Sequence, residues 1–247
     1  MADQTKVNSR VLILCATEPE MAPFLDRHAP RYMGRVRSGG KLFSGSLGKM
    51  DYHLLISGPG VFNTVHALSI FLEESVPDFI LDTGIAGIFP ESGLLVGDIG
   101  LAAREQYIHT GIQNGNTIPA PLPFDLIPDL ESSRQGIYPV DPALIEKVYE
   151  GLKSGLNNVR VFKGRFITVS ALTGTKSEAE KIHAGFFPLM EAMEGAGAAH
   201  TAALYRVPFL EVRAGSNIVG ERDKSKWNIP LAADRVCRIC EQVTALS

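Results

Sequence analysis

The chain has 247 residues, 45% of them hydrophobic and 21% charged, enough for one large α/β domain or two small ones with a full core. Its 24 basic and 27 acidic residues leave a net charge of −3, which excludes the electrostatic footprint of a nucleic-acid or anionic-membrane binder and makes a small molecule the expected partner. Three cysteines cannot staple a chain of this length, so a reducing, cytoplasmic setting is expected.

MADQTKVNSR leads into the apolar run Val11–Ala16, far shorter than the ~20 residues of a membrane span. Glu18 and Glu20 follow too soon for the apolar core of a cleavable leader, and none is expected. Val11–Ala16 has the composition of a buried strand, and Glu18–His28 that of a helix with Pro19 in its first turn, where no backbone N–H is needed. Lys41–Ser46 and Tyr52–Ser57 flank Gly48-Lys49-Met50-Asp51 and predict a hairpin. Gly58-Pro59-Gly60 breaks the chain before a helix over Val61–Glu74. Phe79–Asp82 predicts a strand that ends in a tight turn over Asp82-Thr83-Gly84-Ile85-Ala86-Gly87, and Asp98–Ala103 predicts the next strand.

From Glu105 to Asp141, Pro119, Pro121, Pro123, Pro128 and Pro139 interrupt every regular pattern, which predicts a lid or interface loop rather than a linker. Beyond it, helices are expected over Pro142–Ser154, Lys176–His183, Leu189–Tyr205 and Pro230–Ala245, with strands over Val159–Phe162, Phe166–Ala171 and Phe209–Ala214. The last helix carries Cys237-x-x-Cys240 without a second ligand pair, which reads as two cysteines on a packed face rather than a metal or redox site. Short apolar strands alternating with helices predict a single α/β domain over residues 1–247, a three-layer α/β/α sandwich with a mixed central sheet.

Four segments lie where predicted strands end, the edge at which open α/β sheets bind ligands. Glu20 falls in the first turn of the first helix, where a carboxylate either serves chemistry or complements the helix N-terminus. Ser57-Gly58-Pro59-Gly60 and Thr83-Gly84-Ile85-Ala86-Gly87 would let backbone approach a ligand closely. Small residues after Met193-Glu194 suggest a tightly packed helix with a carboxylate fixed at its start, although Met193 alone is ordinary core filler. Glu211-Val212-Arg213-Ala214-Gly215-Ser216-Asn217 runs from a strand into polar residues ahead of Glu221-Arg222-Asp223 and Trp227, and such an ending is often only a turn.

In this order the segments resemble the purine nucleoside phosphorylase and nucleosidase superfamily, most closely its nucleosidase branch. VLILCATEPE, LDTGIAGIF, VGDIGLAAREQYIHTG, VSALTGT, MEAMEGAGAAH and VRAGSN carry the resemblance over nearly the whole chain. VSALTGT and SNIVGERDKSKW resemble the futalosine hydrolases of that branch, which remove hypoxanthine from futalosine in menaquinone synthesis. The resemblance implies a nucleoside phosphorylase-like fold, a homo-oligomer, and hydrolysis of a nucleoside N-glycosidic bond without metal or organic cofactor. It implies further that Glu20 activates water, Glu194 holds the ribose hydroxyls and Met193 packs beneath the sugar. Backbone at Gly84 and at Thr173-Gly174-Thr175 would touch substrate, and Ser216 and Asn217 would face the imidazole edge of the purine.

Two departures from the family pattern bear on substrate and reaction. Adenine-specific nucleosidases place an Asp where this chain has Asn217. An amide can donate to O6 of a 6-oxopurine and accept from a protonated N7, so Asn217 favours hypoxanthine and leaves water or Asp223 to supply the N7 proton. Phosphorylases hold phosphate with Arg and Ser where this chain has Asp82 and Ile85, and a carboxylate repels phosphate, so water is the expected nucleophile. The alternatives are a methylthioadenosine/S-adenosylhomocysteine or aminofutalosine nucleosidase, a phosphorylase, and a non-catalytic nucleoside-binding protein, the last of which has no use for Glu20.

Overall fold

The computed structural model describes residues 10–36 and 40–246, so the reading of the first nine residues lies outside it. Ten strands form one mixed sheet: β1 (Arg10–Cys15), β2 (Arg31–Arg35), β3 (Lys41–Leu47), β4 (Met50–Ile56), β5 (Phe79–Ile88), β6 (Ile99–Tyr107), β7 (Ile137–Tyr138), β8 (Val161–Thr168), β9 (Met190–Ala192) and β10 (Phe209–Ile218). Six helices pack on it: α1 (Glu18–His28), α2 (Val61–Glu74), α3 (Pro142–Gly155), α4 (Lys176–Phe186), α5 (Gly195–Tyr205) and α6 (Ile229–Ala245).

β1, apolar at every position after the exposed Arg10, is central because both of its faces are covered. Val11, Ile13 and Cys15 join a core with α1, α3 and α6, whereas Leu12 and Leu14 join one with α2 and α5. The expected mixed α/β layering is therefore present. Gly197 lets α5 approach α2 so closely that a Cβ there would lie 3.1 Å from Val61 and Val65.

The sheet order is β10-β6-β8-β9-β5-β1-β4-β3-β2, with β7 on β6. In addition, β10 pairs with β5 in parallel from Phe209 to Ile218, so β5, β10, β6, β8 and β9 close into a ring. This closure explains three corrections to the sequence reading. The segment Asp82–Gly87 is not a turn, because β5 continues to Ile88 and keeps partners on both sides. Residues 189–205 are not one helix, because Met190–Ala192 forms β9 between β5 and β8 before α5 starts. Val159–Phe162 and Phe166–Ala171 merge into the single strand β8. The exposed edge strand β2 carries no apolar alternation and escaped the reading.

Within the proline-rich segment, β6 runs on to Tyr107, Ile112 bridges Ala120, and a 3-10 turn over Glu131–Gln135 leads into β7. Cys237 and Cys240 are both buried on α6, where the packed-face reading put them, although His28 of α1 and Glu241 lie beside Cys237. Among the described residues no helix is long and apolar enough to cross a membrane.

Candidate active site

The ends of β1, β5, β9 and β10 converge on a cavity of about 290 Å³. Its wall includes Glu20, Met193, Glu194, Thr173, Ser216 and Asn217, so six residues from four separate segments meet in one place. Glu20 is 7% exposed. One of its oxygens accepts from the backbone N–H of Ile85 at 3.0 Å and the other from Thr17 Oγ1 at 2.6 Å. Burial pushes the Glu20 pKa up, while these two donors and the Arg213 charge oppose the rise. The result is a carboxylate held in one orientation with a proton affinity suited to a general base.

Gly84 is not part of the cavity wall. It lies behind Glu20, where a Cβ would stand 2.8 Å from Glu20 Oε1 and 3.0 Å from Arg213 Nη1, so its contribution is room for that carboxylate. Glu194 stands at the N-cap of α5 but does not cap it; its Oε1 accepts from the backbone N–H of Gly60 at 2.8 Å and its Oε2 from that of Met193 at 3.2 Å. The Gly58-Pro59-Gly60 break thus serves to fix Glu194, with Pro59 in the cavity wall. Thr173 reaches the cavity, whereas Gly174 and Thr175 do not; Thr175 caps α4 through Glu178 N. Asn217 Oδ1 accepts from Ser216 Oγ at 2.8 Å and its Nδ2 donates to Ile218 O at 3.1 Å, which leaves one N–H and one lone pair of the amide for a ligand.

Sequence reasoning gave no role to the residue that organises the floor. Arg213 is 1% exposed and meets three carboxylates: Glu211 through Nε at 2.6 Å, Asp82 through Nη2 at 2.9 Å and Glu194 through Nη1 at 3.4 Å. Burial works against its charge, but Asp82, Glu211 and Glu194 outweigh it and raise its pKa. Behind it, Glu105 accepts from Thr168 Oγ1, which in turn accepts from the N–H of Ala196 in the first turn of α5. Glu105 Oε2 and Glu211 Oε2 have no donor from elsewhere, and the two side chains face each other. Burial, then the Glu211 charge, raise the Glu105 pKa well above the ordinary carboxylate range. Glu211 fits because the next helix begins with Gly195, whose Cβ would otherwise lie 2.4 Å from Glu211 Oε2. The only signal in the sequence was acidic residues on strands that ought to be apolar throughout.

Asp82 therefore bears on the nucleophile differently from the sequence expectation. It is 1% exposed, turned toward Arg213 and absent from the cavity wall, so it does not face a ligand directly. The argument against phosphate rests instead on Arg213, whose nitrogens are taken by carboxylates, and on Glu20, Glu191 and Glu194 in the wall itself. Asp223 is exposed, accepts from Ser225 and lies outside the wall; the Ser225 bonds lower its pKa, so it is a poor source for an N7 proton. Leu172, Glu191, Val219, Arg222, Trp227 and Ile229 also line the wall and had no assigned role in the sequence reading. None of residues 105–141 lines it.

A family model described as Phosphorylase superfamily matches residues 10–245, and the chain belongs to that family. A curated 5'-methylthioadenosine/S-adenosylhomocysteine nucleosidase from Chromohalobacter salexigens is 26% identical over 213 residues, covering 86% of each chain. Among solved structures, a nucleosidase of the same name from Colwellia psychrerythraea in complex with adenine has a TM-score of 0.80 at 20% identity, covering 97% of this chain and 96% of that one. The futalosine hydrolase of Helicobacter pylori has a TM-score of 0.81 at 16% identity, covering 96% and 98%. At these identities the solved structures speak for the fold.

Proposed function

We propose that the chain is a nucleosidase that hydrolyses the N-glycosidic bond of futalosine, releasing hypoxanthine and dehypoxanthinylfutalosine. The observation that carries the substrate is Asn217, whose free amide N–H complements O6 of a 6-oxopurine. In this reading Glu20 orients a water beneath the anomeric carbon and takes its proton as the bond to the base lengthens and the ribosyl group gains oxocarbenium character. Glu194 holds the ribose hydroxyls, fixed by Gly60, Met193 and Arg213, and Met193 packs against the sugar. Ser216, Asn217 and the backbone at Thr173 hold the base, and bulk water supplies the N7 proton. No metal or organic cofactor takes part.

The relatives named methylthioadenosine/S-adenosylhomocysteine nucleosidases support a second reading in which the base is adenine. Incubation with futalosine, inosine and methylthioadenosine, with and without phosphate, separates the two. Phosphate-independent release of hypoxanthine from futalosine is expected; a phosphate requirement, or faster turnover of methylthioadenosine, refutes the proposal. Self-association belongs to the same proposal. Phe62, 89% exposed beside a groove lined by Val65, Leu126 and Tyr138, supports it, and sedimentation analysis tests it.

A further inference from the structure

We infer that Glu191 reads the N1 edge of the base and, with Asn217, sets a preference for 6-oxopurines; the inference rests on the nucleosidase reading of the cavity. Glu191, Gly87 and Asn217 occupy one rung of the sheet, because Gly87 of β5 pairs with Glu191 of β9 on one side and with Asn217 of β10 on the other. Directly paired residues project to the same face of a sheet, and all three line the cavity. Gly87 contributes no side chain, and a Cβ there would lie 3.5 Å from Asn217 Nδ2 and 2.9 Å from Val219. Gly87 thus gives Val219 and Asn217 room to pack over the rung, and a carboxylate and an amide face the cavity from its two ends.

Glu191 is 5% exposed and serves as an acceptor on both oxygens. Its Oε1 accepts from the backbone N–H of Thr173 at 3.1 Å, and its Oε2 accepts from Thr173 Oγ1. Burial raises its pKa, but the two Thr173 donors and the charge of Arg222 act in the opposite direction. With both oxygens accepting from Thr173, the carboxylate keeps lone pairs to spare for a donor on the base.

A 6-oxopurine presents an acceptor, O6, beside a donor, N1–H. A 6-aminopurine presents the reverse, an N6 amino donor beside the N1 lone pair. An amide N–H at one end of the rung and a carboxylate at the other match the first pattern at both positions. Against the second, the carboxylate of Glu191 is set against the N1 lone pair, an opposition added to that between the free N–H of Asn217 and the N6 amino donor. A site built to pair a buried polar group discriminates strongly against a ligand that leaves it opposed.

The test is calorimetric titration of the intact protein with hypoxanthine, 1-methylhypoxanthine and adenine, in wild type and Glu191→Gln. The neutral amide can still accept from Thr173 and can either donate or accept toward N1. Wild type should bind hypoxanthine roughly tenfold or more tighter than either other base. Glu191→Gln should compress the hypoxanthine-to-adenine ratio by a similar factor. Ratios cancel any loss of active protein through misfolding. Comparable wild-type binding of hypoxanthine and 1-methylhypoxanthine, no binding of hypoxanthine, or ratios unchanged by the substitution each overturn the assignment. A steric penalty from the methyl group alone would leave the ratios unchanged in Glu191→Gln. Base release from futalosine is scored separately, so failure of the hydrolase reading and failure of the Glu191 assignment give different results.

Discussion

Arg213→Met should destabilise the protein in a manner that depends on pH. The side chain is 1% exposed, and Asp82 and Glu211, which it neutralises, are 1% and 0% exposed. Methionine fills much of the volume but leaves these carboxylates without a cation. Removing one member of a buried ion pair costs about 3–5 kcal/mol. For a chain of this size, at roughly 2–4 °C per kcal/mol, the expected fall in Tm is about 6–20 °C. The sign of the pH dependence follows from linkage. Burial already raises the folded-state pKa of Asp82 against the opposing charge of Arg213, and without the arginine it rises further. The folded variant is then least disturbed below the ordinary carboxylate range, where Asp82 is protonated in either state, and loses stability relative to wild type as pH rises toward the raised value. Thermal unfolding followed by circular dichroism from pH 5 to pH 8 should show the gap to wild type widening with pH. KM should also rise, because Glu194 loses a partner at 3.4 Å. A Tm within about 2 °C of wild type, or a gap that is the same at both ends of the range, would refute the picture of a cation holding buried charges in place.

Glu20→Gln should lower kcat by roughly 100-fold or more while KM changes little, since Gln can still accept from Ile85 N; near-normal turnover would remove Glu20 as the base. Because burial raises the Glu20 pKa and the base acts when ionised, the acid limb of the wild-type profile should lie above the ordinary carboxylate range and vanish from the residual activity of the variant. Asn217→Asp should shift the ratio of kcat/KM values away from the hypoxanthine substrate toward its 6-amino analogue, and an unchanged ratio would show that Asn217 does not read the base. Glu105→Gln should keep the bond from Thr168 while removing a titrating group whose folded pKa is raised; wild-type stability from that group is present below its unfolded pKa and is lost as pH rises toward the folded value. The Tm of the variant relative to wild type should therefore increase from pH 5 to pH 8, and a difference that is flat or declines would mean that the folded state does not raise the Glu105 pKa.

The sequence by itself determined the elements whose signals are local. β1 is apolar at every buried position, Pro19 and Pro230 sit where helices begin, and the hairpin of β3 and β4 is set by the residues that flank its turn. It also determined that Glu20, Met193, Glu194, Ser216 and Asn217 belong to one site, because the motifs that carry them keep their order along the chain. What it could not determine is pairing between distant strands. β5 reads as a short strand and a glycine-rich turn because Gly84 and Gly87 carry no β propensity; only β10 on one side and β9 on the other keep it extended to Ile88. The same closure decides the charges. Asp82, Glu105, Glu211 and Arg213 are polar residues in strands, which a local reading assigns to solvent or to a ligand. Only when the ring brings β5, β6 and β10 together do they become a buried cluster in which Arg213 pairs with Asp82 and Glu211 and supports Glu194. Burial is a property of the assembled sheet, and the pKa shifts that follow from it are decided by the tertiary structure alone.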